Sequence, residues 1–324
     1  MMQSLARRFA HRVDTGLRGK TRRDYENKFR LFVAVSVYVG ASSLDSVKTV
    51  SVFLEYLITR GLRAQTLQSY ITALKYYFQR FNLNVEALEH KSVALGIRSV
   101  AINAPVTMAI KSTFTITMLG QLVQAARQLH DGELYVCAWL LGFFGFYRLS
   151  SLVPPNSRFD SSRYPVGADV VLGPPGARII TKCTKSMQIA GHCQVVQVPK
   201  LSGTPFCPVA ALKVRLSKLS STKAPLFSDG NGKVVPAYEI RKVLKRMVVS
   251  LGWDPSGLGF HAFRRSGASW AFDHGIPLEH IKTHGGWRSE AIWRYLVSTP
   301  RRRVPWQGFS SNIWASLLVG LVVF

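Results

Sequence analysis

The residues best suited to chemistry lie near the end of the chain, between His261 and Tyr295. His261 and Arg264 are three residues apart, so on a helix their side chains share one face. A Gly-Gly-Trp turn at 285–287 and then Tyr295 follow them. A histidine and an arginine could bind a phosphate that a tyrosine attacks, so this stretch could cut a phosphodiester through a tyrosine nucleophile. An H-x-x-R pair arises by chance about half the time in a chain this basic, so other features must support the hypothesis.

Helices on the C-terminal side are predicted to position these side chains. A strongly apolar, buried helix is predicted from Gly132 to Phe146, with Arg148 at its C-terminal end beside a proline-terminated turn. A guanidinium at that place could either close a helix end through a salt bridge or hold a phosphate. Cys207-Pro208 opens a further helix, and a basic amphipathic helix is predicted from Tyr238 to Leu251.

A small antiparallel sheet is predicted after Asp169, because the apolar period changes there to two. Its strands are predicted at 170–172, 178–181 and 194–198. Lys182 and Lys185 lie in the connection between the second and third strands. Most loop lysines are simply solvated, but one in this connection could bring an ammonium to the leaving oxygen of a cut DNA backbone.

The N-terminal part, residues 1 to about 105, is predicted to be a helical bundle. Amphipathic helices are predicted at Thr21–Tyr38, from a cap at Ser43 to Gly61, and at Gln65–Phe78. An irregular, proline-containing stretch at 99–113 is predicted to be the linker. The candidate DNA contacts are basic residues on polar faces, each of which could equally be only solvated: Arg22, Arg23, Lys28, Arg63, Lys75, Arg241 and Lys245.

The composition predicts a globular protein with a polyanionic partner. Of its 324 residues, 47% are hydrophobic and 18% charged, which is typical of a globular chain with room for two domains. Lys and Arg outnumber Asp and Glu by 42 to 17, giving a formal charge of +25. Nucleic acid is the simplest partner for such a charge, and a generally basic protein or a membrane-surface binder is the alternative.

Further features bear on compartment and cofactors. The four cysteines show no CxxC spacing and are predicted to be reduced core or sheet residues: Cys137, Cys183, Cys193 and Cys207. Neither a P-loop nor a carboxylate cluster is found in the sequence, so no cofactor or metal ion is expected. The acid-poor opening leaves a mitochondrial transit peptide as a minor alternative. The tail at 301–324 is basic and then apolar, and its apolar run is short of the about 20 residues of a membrane span.

Together with Arg148 and Lys185, these stretches resemble a known family. GFYRLSSL, TKSMQ, CPVAAL, PLFSDGNGK, HAFRRSGASWAF and GGWRSEAIWRYL occur in the order and rough spacing of tyrosine recombinases of the phage-integrase type. They look most similar to the DIRS-type and Crypton-like recombinases of eukaryotic transposons. LRAQTLQSYITALKYYF and LGIRSV resemble the core-binding domain of the family, so the resemblance covers about residues 20–297.

The resemblance implies a mainly α fold with a small antiparallel β-sheet (α+β). Residues 1–105 would form a helical, SAM-like core-binding domain that holds DNA, and 106–300 the tyrosine recombinase catalytic domain. Residues 301–324 would form a basic and then apolar tail.

The resemblance also implies a role for each site residue. Arg148 and Arg264 would grip the scissile phosphate, and Tyr295 would attack it to form a 3′-phosphotyrosyl link. Lys185 would protonate the departing 5′ oxygen, and His261 would assist in proton transfer and phosphate contact. Phosphoryl transfer depends mainly on positioning and charge stabilisation, which two guanidiniums can supply without a metal, and the retained bond energy makes ATP unnecessary.

The chain departs from the family pattern at a few positions. Ser151 stands where the family usually has the acid of Arg-x-Ser-Glu-Leu. The late His/Trp position is filled by Trp287, as a packing and hydrogen-bond donor residue, or by Gly286 if the turn is shifted by one. The TKSMQ context favours Lys185 over Lys182 without excluding the latter.

The sequence thus predicts a site-specific recombinase or integrase from a mobile element. It would act on double-stranded DNA as a homo-oligomer, dimer to tetramer, in a nucleus if eukaryotic or in the cytoplasm and nucleoid if prokaryotic. A catalytically decayed DNA-binding protein of the same fold is the first alternative, supported by the missing acid. A type IB topoisomerase, which shares the chemistry, is the second, although the CPVAAL motif and the compact spacing from His261 to Tyr295 favour integrases.

Overall fold

The protein divides into two compact units, Met1–Met108 and Ala109–Phe324. The structure is a computed structural model that describes Arg8, Arg12 and residues 16–105, 112–182 and 193–296. Cys183, the opening residues 1–7 and the C-terminal tail lie outside this range. Most described elements are helices, and the described sheet has three antiparallel strands, which confirms the predicted fold class. No helix in the described ranges is long and apolar enough to cross a membrane.

The first unit is a helical bundle. Its elements are α1 (Gly19–Tyr38), α2 (Val47–Thr59), α3 (Ala64–Arg80), α4 (Glu86–Glu89) and α5 (Lys91–Ile102). Apolar residues at helical spacing on α1, α2 and α3 meet in its core, where Phe32, Phe53 and Phe78 are each at most 1% exposed. The Phe32 and Phe53 rings meet edge to face, with centroids 5.1 Å apart.

Two predicted boundaries in this unit were wrong. Helix α2 is capped by Ser46, which directly precedes Val47 and accepts the Thr49 N–H, whereas the predicted cap Ser43 donates its hydroxyl to the Asp45 carboxylate. Helix α5 continues to Ile102, so the first four residues of the predicted linker at 99–113 are helical. Its remaining residues include 106–111, which lie outside the described range.

The second unit combines helices with the sheet. Its elements are α6 (Ile116–Ala126), α7 (Gly132–Phe144), α8 (Leu149–Leu152), β1 (Val170–Gly173), β2 (Gly176–Thr181), β3 (Gln194–Pro199), α9 (Pro208–Ser217), α10 (Ala237–Ser250), α11 (Phe260–Asp273) and α12 (Leu278–Gly285), with 3₁₀ segments at Gly167–Asp169 and Glu290–Arg294. The three strands lie in the order β1-β2-β3, with Ile179 opposite both Val170 and Val196. The predicted strands are therefore confirmed.

Helix α7 is the centre of the second unit. Residues from all of its faces are buried, including Trp139 and Phe143, so it packs against its neighbours on every side. The helix ends at Phe144 and not at Phe146, because Phe146 adopts a left-handed backbone with φ of 49°. Arg148 consequently precedes α8 and does not end α7, which corrects its predicted position.

The last described part of the chain, between Trp287 and Tyr295, contains no α-helix. A 3₁₀ segment occupies Glu290–Arg294, and Tyr295 follows it directly. Helix α11 ends shortly before Gly275, which has a φ of 82°, and Pro277 immediately precedes α12. Elsewhere in the unit Cys137 and Cys207 are free and buried as predicted, whereas Cys193 is free and exposed.

Candidate active site

Helix α11 carries the histidine and the arginine that the sequence placed one turn apart. The helix follows Gly259, whose backbone is extended, so His261 lies in the first turn. His261 is exposed, whereas Arg264 is only 2% exposed. A guanidinium with so little exposure needs partners inside the protein, because moving a charge out of water is costly.

The partners of Arg264 are carbonyl groups and aromatic rings. Its Nη1 donates to the Phe146 carbonyl, and its Nη2 donates to the Gly285 carbonyl at 2.8 Å. Its Nε is buried and has no hydrogen-bond partner among the described residues. Burial, and then the charge of Arg148, lower the pKa of Arg264 to about 9, which leaves it charged at neutral pH. No described carboxylate forms a salt bridge with Arg264, so its charge is available to an anion.

Trp287 lies against this guanidinium. The Arg264 guanidinium carbon is 3.7 Å from the centroid of the indole ring, a cation–π distance. The indole reaches this place because Gly285 has no side chain, since a Cβ there would lie 1.7 Å from Trp287 Cζ3. Gly286 ends α12 with a left-handed backbone, φ 64°. The Trp287 Nε1 is buried without a hydrogen-bond partner among the described residues, so its N–H remains available.

Tyr295 is half-buried and meets three of the other predicted site residues. Its ring centroid lies 5.1 Å from that of His261 and 5.0 Å from that of Trp287. The Arg264 guanidinium carbon is 5.4 Å from the Tyr295 ring. A salt bridge from Lys282 to Glu290 at 2.5 Å joins α12 to the 3₁₀ segment that precedes Tyr295.

Arg148 reaches the same place from the turn between α7 and α8. It is half-buried, and its positive charge contributes to lowering the pKa of both His261 and Arg264. The turn is held by Phe146, whose carbonyl accepts from Arg264 and whose left-handed backbone is uncommon for a residue other than glycine. Such conformations persist where the surrounding contacts determine them, often at functional sites.

The charge state of His261 follows from this setting. Partial desolvation, and then the charges of Arg264, Arg265 and Arg148, lower the pKa of His261 from 6.5 to about 4. His261 is therefore neutral at pH 7. A neutral imidazole can accept a proton, which an imidazolium cannot.

Of the two candidate lysines, only Lys182 lies within the described residues. Lys182 directly follows β2, where its Nζ lies 2.6 Å from the Asp169 carboxylate and donates to the Ser161 carbonyl at 2.9 Å. Its ammonium is therefore already engaged by the 3₁₀ segment that precedes β1 and by the Ser161 carbonyl. Lys185 lies outside the described residues, so its role stays a prediction.

The other candidate DNA contacts are basic residues, some of which already form salt bridges within the protein. Arg22, Arg23 and Arg63 are exposed. Lys28 forms a salt bridge with Asp24 at 2.6 Å, and Lys75 pairs with Glu89. Arg241 and Lys245 are exposed on α10 and line a cavity that also contacts Arg148 and His261. These roles in DNA binding stay predictions.

One contributor to the site was missed in the sequence. Gln194, the first residue of β3, donates its Nε2 to the Thr283 and His284 carbonyls at 3.1 Å each. It thereby ties the sheet to the end of α12, immediately before the glycines that hold Trp287. No local pattern marks a glutamine for a contact some ninety residues away. Among the described residues, no group of three or more His, Cys, Asp or Glu could hold a metal ion.

Solved structures with similar folds are tyrosine recombinases. The Tn1549 transposon integrase in complex with circular intermediate DNA has a TM-score of 0.58 and 13% identity, with coverage of 92% of this chain and 95% of that one. A lambda integrase dimer bound to a COC′ core site has a TM-score of 0.56 and 14% identity over 93% and 96% of the two chains. XerH site-specific recombinase bound to its palindromic difH substrate has a TM-score of 0.51 and 15% identity, covering 77% and 66%.

These comparisons define the fold class. At identities this low they establish the fold alone, and the chain has the tyrosine recombinase fold. No family model matches the sequence, and no curated protein matches it.

Proposed function

We propose that this protein is a site-specific DNA recombinase that cuts and rejoins DNA through a covalent link to Tyr295. The proposal depends on one observation, which is the environment of the Arg264 guanidinium. Its buried guanidinium has no described carboxylate partner, stacks on Trp287 and lies 5.4 Å from the Tyr295 ring. An uncompensated buried charge beside a tyrosine is suited to a phosphate that the tyrosine attacks.

The reaction assigns one step to each side chain. Arg148 and Arg264 hold the non-bridging oxygens of the phosphate and stabilise the charge that develops on them. Neutral His261 accepts the hydroxyl proton as Tyr295 attacks phosphorus, and a new bond joins the tyrosine oxygen to phosphorus. The bond to the 5′ oxygen breaks, and Lys185 supplies the proton for that oxygen. A 5′ hydroxyl reverses these steps and releases Tyr295.

We propose further that this chemistry serves a mobile element. The protein would be encoded by a mobile element of the DIRS or Crypton type, act in the nucleus of a eukaryotic host, and assemble as a homo-oligomer on duplex DNA. Two similarities support the setting: a similar fold occurs in a transposon integrase bound to circular intermediate DNA, and lambda integrase binds its core site as a dimer. Strand exchange also needs more than one tyrosine.

The experiment uses nicked duplexes whose sequence around the nick is randomised, because the DNA site is unknown. Cleavage close to the nick releases a short 5′-hydroxyl strand, so the covalent complex accumulates. We expect the full-length protein to become linked to DNA that survives denaturation, and Tyr295→Phe to form no such link. Sequencing of the captured DNA then identifies the site. A Tyr295→Phe protein that still became covalently linked would overturn the proposal.

A catalytically decayed DNA-binding protein is the second candidate, favoured by Ser151. This residue is buried beside Arg148 and places no carboxylate at that point. Retained DNA binding by the wild-type protein without any covalent complex would select this candidate. Relaxation of supercoiled plasmid without recombination would instead select a type IB topoisomerase.

A further inference from the structure

A cavity of about 510 Å³ lies beside the candidate active site. Arg148 and His261 contribute one side of it, and Arg241 and Lys245 contribute another from α10. Its remaining lining is mainly apolar and includes the buried side chains of Leu149, Leu244, Leu258 and Phe260. A basic rim above an apolar floor matches a nucleotide, which has an anionic phosphate and a largely apolar sugar face. The volume is within the roughly 300–1,000 Å³ of small-molecule sites.

The charges around the cavity call for a second anion. In the proposed function, the scissile phosphate lies on Arg148 and Arg264. Arg241 and Lys245 then remain, and neither forms a salt bridge within the described part of the chain. None of the residues that line the cavity is acidic. His261 is neutral at pH 7, so it adds no charge and balances none.

The helix places Arg241 and Lys245 together. They are four residues apart on α10, so both side chains project from the same face toward the cavity. Lys242 and Arg246 are also four residues apart and exposed on the same helix, but they do not line the cavity. The two pairs have the same charge and spacing and differ in direction, so the second pair is a matched control.

We infer that this cavity is a subsite for the nucleotide adjacent to the scissile phosphate. The neighbouring phosphate binds Arg241 and Lys245, and the deoxyribose rests on the apolar floor. The inference rests on the proposed function, because that function places the scissile phosphate at Arg148. It goes further in distinguishing Arg241 and Lys245 from the many other surface cations, and in giving the flanking nucleotide a role in aligning the cut.

The first experiment measures binding alone and does not depend on cleavage. The wild-type protein and four single alanine variants, at Arg241, Lys245, Lys242 and Arg246, bind a short duplex of mixed sequence over a range of salt concentrations. Each lost phosphate contact reduces the slope of log K against log salt by about 0.9. We expect that reduction for Arg241→Ala and Lys245→Ala, with smaller changes for the control pair. Equal changes in the four variants, or larger ones in the control pair, would overturn the subsite.

The second experiment locates the phosphate. A methylphosphonate, which is neutral, replaces the phosphate on either side of the scissile one in the nicked duplex recovered by covalent capture. We expect one position to slow wild-type cleavage about tenfold, and Arg241→Ala to cause no additional loss there because its partner charge is already absent. Additive losses at both positions would contradict the inference. A wild-type protein that captures no DNA would sink the proposed function only, since the binding experiment still decides the subsite.

Discussion

The guanidinium of Arg264 lies over the indole of Trp287, with 3.7 Å between the guanidinium carbon and the ring centroid. A desolvated cation–π contact contributes about 2 kcal/mol, so the ring offsets part of the cost of burying the charge. A carboxylate partner would offset more of the cost of burying the charge, but it would also neutralise that charge. The indole instead contacts the guanidinium without neutralising its charge, which is what the proposed phosphate contact needs.

Substitutions at Trp287 can distinguish the contribution of its aromatic ring from that of its N–H group. Trp287→Phe keeps an aromatic face under Arg264 but removes the Nε1 donor, which has no partner among the described residues. We expect little change in the free energy of unfolding and about a tenfold slower covalent capture of nicked DNA, corresponding to one hydrogen bond to a charged group. Trp287→Ala leaves a cavity and should lower the free energy of unfolding by about 3–5 kcal/mol.

Trp293 provides the control for this series. It is 52% exposed, and its N–H donates to the Glu290 carboxylate at 2.8 Å. Trp293→Phe makes the same chemical change six residues from Trp287, and capture should proceed at the wild-type rate. Equal capture rates for wild type and Trp287→Phe would show that the indole N–H contributes nothing to the reaction.

Gln194 links the sheet to the turn that carries Trp287. Gln194→Leu removes the two hydrogen bonds to the Thr283 and His284 carbonyls and leaves both acceptors without this donor. Each lost hydrogen bond costs about 0.5–1.5 kcal/mol of stability. The Gly285 carbonyl, which accepts from Arg264, directly follows these groups. We therefore expect the capture rate at saturating protein to fall about tenfold while DNA affinity changes less.

Val195→Thr is the control for this variant. Val195 is 54% exposed on the same strand, so its substitution leaves the link to α12 intact. Capture and DNA affinity should match the wild type. If Gln194→Leu lost affinity and capture rate in equal proportion, Gln194 would contribute to binding and not to the position of Arg264.

The residues at the centre of the site could be predicted because they lie within short periodic segments. The spacing of His261 and Arg264 survives in the structure as one turn of α11, and Trp287 and Tyr295 both meet Arg264. The three strands were likewise predictable, since alternation of apolar residues is a local signal with a two-residue period.

What could not be predicted depends on contacts distant in sequence. The left-handed backbone of Phe146 is unfavourable by itself. It is held by a hydrogen bond to its carbonyl from Arg264, which lies 118 residues further along the chain. The position of Arg148 was mistaken because α7 ends at its cap Gly145, before the left-handed Phe146, and not at Phe146 itself. The 3₁₀ segment before Tyr295 likewise has its buried contacts at a distance in sequence, since Ile292 lies in a cluster with Ala268 and Ile281.

Gly267 allows α11 to approach α7. A Cβ at this position would lie 1.9 Å from the Phe143 carbonyl oxygen, which belongs to rigid helix backbone. Gly267→Ala must therefore displace α11, and we expect a loss of several kcal/mol in the free energy of unfolding together with slower capture, since Arg264 lies on the same helix. Denaturant unfolding and covalent capture measure the two effects.

Gly120→Ala is the control, because the same change from glycine to alanine is expected to raise the stability at this position. Gly120 lies within α6, and a Cβ there would have only ordinary contacts, with Phe206 at 3.8 Å. Alanine is favoured over glycine inside a helix by about 0.5–1 kcal/mol, so Gly120→Ala should stabilise the protein. A Gly267→Ala protein as stable as Gly120→Ala would contradict the close approach of α11 and α7.

His284 makes the stability of the protein depend on pH. It is 7% exposed, its Nε2 lies 2.9 Å from the Phe144 carbonyl, and it packs edge to face on Phe146. Burial lowers its pKa from 6.5 to about 4, against the Phe144 hydrogen bond, which raises it, and with a further lowering by the charge of Arg264. Between these values the unfolded chain binds the proton and the folded protein does not.

Stability must therefore fall as the pH falls from about 6.5 to about 4, and it is independent of His284 above that window. At about 1.4 kcal/mol per pKa unit, the shift corresponds to roughly 3 kcal/mol. His261, whose pKa is lowered in the same direction, adds a smaller contribution because it is exposed.

His284→Gln can keep a donor to the Phe144 carbonyl but cannot titrate. The free energy of unfolding of this variant, measured in urea, should therefore fall less across the window than that of the wild type. His130→Gln, at a residue whose side chain is 95% exposed, is the control. Equal slopes for His284→Gln and wild type would mean that His284 is not held neutral by its burial.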